Sequence, residues 1–118
     1  MLSPNITAHL PHLVNGVIFS EQNPGYMKVT FNDSLDYDTW QEFTKTMIEM
    51  IKENYLQWDF NLQELNDVQS IDIGMWVMCN TRITTFFGKL VIIVKRNSSI
   101  HRVLSITKVD KIIPIKFV

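Results

Sequence analysis

The residue types that could carry chemistry gather around Asp72, in the run Asn66-Asp67-Val68-Gln69-Ser70-Ile71-Asp72-Ile73-Gly74-Met75-Trp76-Val77-Met78-Cys79-Asn80. The run ends a strand pattern, sets Asp72 at a turn and opens an apolar-faced helix. A carboxylate at a helix start accepts hydrogen bonds from the unpaired N–H groups of the first turn, so Asp72 reads as the N-cap. The same terminus carries the positive end of the helix dipole, which can hold an anion or receive a partner protein. Gly74 would let a phosphate or another backbone come close. Ser34 and Asp36, in the loop after the second strand pattern, read alone as turn formers.

No catalytic set assembles from the remaining candidates. His9 and His12 flank Pro11, and two histidines without further ligands do not make a zinc site; His101 falls on a surface helix. Cys79, the only cysteine, sits beside Trp76 and Ile83 on an apolar face and reads as an inert core thiol. Asp33, Asp36 and Asp38 are explained by a loop and a helix cap. The 4 glycines are ungrouped, so no phosphate-cradling loop is present. The reading is a binding protein, not an enzyme, with no metal and no cofactor.

Composition bounds the partners. A chain of 118 residues with 46% apolar content can bury one core without disulfides, and a net charge of −1 gives no basic footprint for nucleic acid. The apolar runs fall far short of a membrane span, and residues 1–5 lack a signal-peptide pattern. One cysteine excludes an internal disulfide and agrees with a reducing cytoplasm. No repeat or linker divides the chain. Residues 1–12 read as an N-terminal arm and residues 13–118 as a single domain.

The elements that must position Asp72 follow from periodicity. Residues 14–20 and 27–31 form a hairpin across Asn23-Pro24-Gly25, with Met27, Val29 and Phe31 on one face. Asp38, with Gln41 three residues on, opens a helix that carries Trp40, Phe43, Met47, Met50 and Ile51 on one side. Residues 58–65 form a strand with Phe60 and Leu62 on one face and Asn61 and Gln63 on the other. That polarity implies a sheet face that is only partly covered. A helix over 73–87 places Ile73, Met75, Trp76, Cys79, Ile83, Phe86 and Phe87 on its apolar face, leaves Val77 and Met78 on the exposed side, and ends at Gly88. A buried strand over 90–94, a short helix capped by Ser98 or Ser99, and a last strand over 111–117 complete the chain. The order β-β-α-β-α-β-α-β predicts an α/β fold: a mixed sheet with a parallel portion and helices mainly on one face.

This order, together with Val68, Ile71, Asp72 and Trp76, resembles the STAS domain of anti-sigma-factor antagonists. Leu35-Asp36 after the second strand, the run Ile100-His101-Arg102-Val103-Leu104, Val109, and Ile112-Ile113-Pro114-Ile115 extend the likeness over roughly residues 14–116. The resemblance implies a regulatory protein-interaction module whose partner is an anti-sigma factor or a kinase. It places partner binding at Ser34, Asp36, Asp72, Ile73, Gly74, Val77 and Met78. It also puts the family's phosphoacceptor position at Ile73, which has no hydroxyl. Ser70 becomes a phosphorylation candidate only by a register slide that spoils the Val68 and Ile71 matches. The alternative is a small anion or nucleotide sensor built on the helix N-terminus near Gly74. Neither reading calls for nucleic acid or membrane, and a homodimer stays open.

Overall fold

The computed structural model describes residues 14–118. The expected arm at 1–12, with His9 and His12, lies outside the described residues. Pro24 and Gly25 turn the chain between β1 (Val17–Asn23) and β2 (Tyr26–Phe31), which pair antiparallel with an irregularity between Glu21 and Asn23. Gly25 has φ +82, and a Cβ there would stand 3.0 Å from the Asn54 carbonyl oxygen, so glycine answers both the turn and the close approach.

The chain continues through α1 (Tyr37–Lys52), β3 (Gln57–Asn61), α2 (Ser70–Thr85), β4 (Lys89–Val94), α3 (Ser99–Ile106), a 3-10 turn (Val109–Lys111) and β5 (Ile115–Phe117). The expected element order and fold class hold. The five strands lie side by side in chain order, and β2 through β5 run parallel. Right-handed crossovers between successive neighbours set the three helices on one sheet face.

The core fills the space between that face and the helices. Met27, Val29 and Phe31 of β2, Trp58 and Phe60 of β3, and Leu90, Ile92 and Val94 of β4 meet Trp40, Phe43, Met47 and Met50 of α1 and Trp76, Cys79 and Ile83 of α2. Phe43 stands edge-on to Trp40 and Phe60, with ring centroids 5.4 and 5.7 Å apart. The opposite sheet face carries polar contacts. Tyr26 Oη donates to Asp59, and the Asn61 amide donates to Thr30 Oγ1 at 3.3 Å. Asp59 and Asn61 are each only 7% exposed, so these two polar residues of β3 are hydrogen-bonded inside the protein, while Gln57 on the same side is exposed.

Several boundaries move from their expected places. Asp36, not Asp38, caps α1, because its carboxylate accepts from the Thr39 N–H at 2.8 Å. β3 ends at Asn61, and Leu62 and Leu65 are buried beyond it in the connection to α2. α2 begins at Ser70 and stops at Thr85. There the Gly88 N–H returns to the Ile83 carbonyl and the Phe87 N–H to that of Thr84, both at 2.9 Å, a Schellman reversal. Phe87 therefore takes the left-handed position at φ 65, and Gly88 follows it. The reversal also carries Phe86 and Phe87, expected on the apolar face, out to 48% and 95% exposure.

Candidate functional site

The carboxyl ends of β2 and β3 bring the starts of α1 and α2 together, and Asp72 lies between them. It is the third residue of α2 and only 1% exposed, not an exposed N-cap; Gln69 holds the cap position. Oδ2 accepts from the Gln69 N–H at 2.8 Å and from the Ser34 hydroxyl. Oδ1 accepts from the Trp40 indole N–H at 2.9 Å and from the Leu35 N–H at 3.2 Å. Four neutral donors and the positive end of α2 surround one buried carboxylate, which is how a charge can be held without a cationic partner. The Asp72 cluster joins three segments: the β2–α1 loop, α1 and the first turn of α2.

Two of these donors were not legible as site residues. Trp40 reads from its spacing as plain core, and Leu35 contributes only its backbone. The available signal was the indole itself, since a buried Trp N–H usually seeks an acceptor.

The other expected residues distribute around this cluster. Ser34 is half-buried with its hydroxyl on Asp72. Asp36 is exposed, and the Thr39 hydroxyl and N–H hold its carboxyl below the ordinary carboxylate range. Ile73 is half-buried against the core, Val77 likewise, and Met78 is half-buried. Val77 is therefore less free than the exposed side assigned to it. Gly74 is exposed, and a Cβ added to it would meet nothing within 4 Å. Ser70 is the exposed first residue of α2.

The anion reading at Gly74 loses its ground. With α2 starting at Ser70, Gly74 is the fifth helical residue and its N–H is no longer among the unpaired donors. Asp72 already occupies that terminus with a negative charge. Burial lifts the Cys79 thiol to about 12, which removes it as a nucleophile. Among the described residues no group of three His, Cys, Asp or Glu side chains could hold a metal ion. No described helix is long and apolar enough to cross a membrane.

No protein-family profile matches the sequence, and no curated protein is similar enough to count as a relative. Solved structures are similar. A Thermotoga maritima protein assigned as an anti-sigma factor antagonist superposes with a TM-score of 0.73 at 20% identity, over 91% of this chain and 88% of its own. The fold is the STAS fold. An anti-sigma factor antagonist from Mycobacterium paratuberculosis shares it with a TM-score of 0.67 at 12% identity, over 84% of this chain and 82% of that one. The antagonist SpoIIAA, in its unphosphorylated form, shares it with a TM-score of 0.66 at 12% identity, over 86% and 88%. In this STAS fold the Asp72 cluster occupies the end of the sheet where the parallel strands terminate and α1 and α2 begin.

Proposed function

We propose that the chain is a non-enzymatic regulatory module of the anti-sigma-factor-antagonist type, working in the cytoplasm and docking a partner protein over the start of α2. The surface comprises Ser34, Asp36, Ile73, Gly74, Val77 and Met78. Asp72 lies beneath it and fixes the two helix starts. An anti-sigma factor or a regulatory kinase is the partner class that the shared fold suggests.

Gly74 carries this reading. Glycine inside a helix costs about 0.5–1 kcal/mol relative to alanine, and here no neighbouring atom requires it. A bare, exposed helix backbone beside half-buried Ile73, Val77 and Met78 suits close approach by another molecule. Met78 adds an adaptable contact. Ile73 has no hydroxyl, so docking there proceeds without a phosphate on that residue. Ser70 is an exposed hydroxyl for such a modification, at the first position of α2, where a phosphate would add negative charge beside the Asp72 carboxylate.

The test is titration of the purified chain against an anti-sigma factor or kinase encoded beside it, followed by calorimetry. Gly74→Ala should fold more stably and keep most of the affinity. Gly74→Arg should fold, because the space is open, and bind roughly thirtyfold more weakly or worse. Equal binding by Gly74→Arg and wild type would remove this surface from the reading.

A further inference from the structure

The opposite end of the molecule, where the helices finish and the parallel strands begin, has a different character. Of the large apolar side chains exposed among the described residues, Phe86, Phe87 and Ile112 lie there, at 48%, 95% and 53% exposure. They precede adjacent strands: residues 86–87 lead into β4, and Ile112 leads into β5, which the Ile92 N–H ties to β4 through the Pro114 carbonyl at 2.9 Å. Arg82 and Lys89 flank the phenylalanines with no acid between them in sequence. Lys108 and Lys111 both precede Ile112, with Asp110 the sole acid of residues 108–112. The chain as a whole carries a net charge of −1, whereas residues 82–89, around the exposed rings, hold two bases and no acid. The helix-start end exposes Asp36, Asp38, Glu64 and Asp67 together with Lys95 and Arg96.

Phe87 is the informative member. It occupies the left-handed position that ends α2, where glycine is the usual residue. Glycine cannot be spared from the next position, since a Cβ on Gly88 would lie 2.4 Å from the Leu56 carbonyl oxygen. The fold gains no packing in return for a phenylalanine in strained backbone, because the ring is almost wholly in solvent. An apolar group held outward at a backbone cost, with Arg82 and Lys89 on either side of it along the chain, matches a surface that enters the headgroup layer of an anionic bilayer.

We propose that this end of the domain docks peripherally on anionic lipid membranes, with Phe87 and Phe86 entering the interface and Arg82, Lys89 and Lys111 contacting the headgroups. The absence of a long apolar run does not bear on such a contact, since nothing spans the bilayer. The surface is separate from the proposed partner surface, so a docked domain would present the Asp72 end away from the membrane. Either reading can fail without the other.

Co-sedimentation of the full chain with vesicles of phosphatidylcholine alone, and with one-third phosphatidylglycerol, tests this. The wild type should pellet with the anionic vesicles and stay in solution with the neutral ones, losing the interaction as salt is raised. Phe87→Gly should bind roughly tenfold more weakly while its melting temperature holds or rises, because glycine suits the left-handed position. Lys89→Glu and Lys111→Glu should each weaken binding roughly fivefold or more. Equal partition of the wild type into both vesicle types would overturn the proposal. So would a Phe87→Gly variant that binds vesicles as the wild type does. If Phe87→Gly instead dissolves a dimer seen in solution without vesicles, the face joins two copies of this chain and the lipid reading falls.

Discussion

The indole N–H of Trp40 reaches the carboxylate of Asp72 at 2.9 Å, so α1 and α2 share one buried anion near their starts. The pair joins residues 32 positions apart, and it holds both helix N-termini at the end of the sheet where the candidate surface lies. Geometry at this surface thus depends on a side chain that is itself buried.

Trp40→Phe keeps the ring in the aromatic cluster and removes that donor. Losing one hydrogen bond to a charged acceptor should cost about 1.5–3 kcal/mol. Asp72→Ala should cost more, because it leaves several buried donors unpaired. Urea unfolding followed by far-UV circular dichroism should show both midpoints falling at constant slope. A Trp40→Phe midpoint equal to wild type would mean the bond contributes nothing to stability.

Gly74 and Gly88 should respond oppositely to the same change. Gly74→Ala adds a methyl in open space and should stabilise by about 0.5–1 kcal/mol. Gly88→Ala drives a Cβ to 2.4 Å from a backbone oxygen and 2.8 Å from the Ile83 side chain, and should destabilise by about 1–3 kcal/mol. Thermal melts of the two variants, run side by side, give the comparison.

Cys79 is fully buried and its thiol is pushed up to about 12 by desolvation. The native protein should therefore react with a disulfide reagent at pH 8 only through unfolding, whereas denatured chain reacts at once. A native rate that matches the denatured one would place the thiol at the surface.

Alkaline pH should weaken the fold through two tyrosines. The Asp59 carboxylate that accepts from Tyr26 raises its phenol to about 12. Burial, helped by Glu21, does the same for Tyr55. Both phenols keep their protons in the folded state after an unfolded chain has begun to lose them near 10, so unfolding releases protons and stability drops as pH rises. The contribution is whole below about pH 10 and gone above about pH 12. Denaturant midpoints across this window should fall, and less steeply in Tyr26→Phe and Tyr55→Phe.

Much of the architecture was legible because it is written in local spacing. The Pro24-Gly25 turn, the apolar stripe of α1 and the continuous run of β4 each declare themselves within a few residues. The start of α2 did not. Asp72 has the right chemistry for a cap, and only Ser34, Leu35 and Trp40, 32 to 38 residues earlier, reveal that its carboxylate is engaged elsewhere. At the other end of α2, glycine suggested the helix stop two residues late, because the need at Gly88 is space beside Leu56 and not a left-handed φ. The rings of Phe86 and Phe87 followed the helical period on paper and left it in the fold. At the site, the depth of Asp72 depended on these distant contacts.

Strand order that follows chain order has a consequence for how the protein is made. Among the described strands, none must be inserted between two already paired, so each can add to the sheet as it leaves the ribosome. The open edges of β2, β3 and β4 are each covered by the next strand to be synthesised, which keeps short the time in which an unpaired edge can meet another chain. At every stage after the first hairpin, the nascent chain carries a smaller version of the finished sheet.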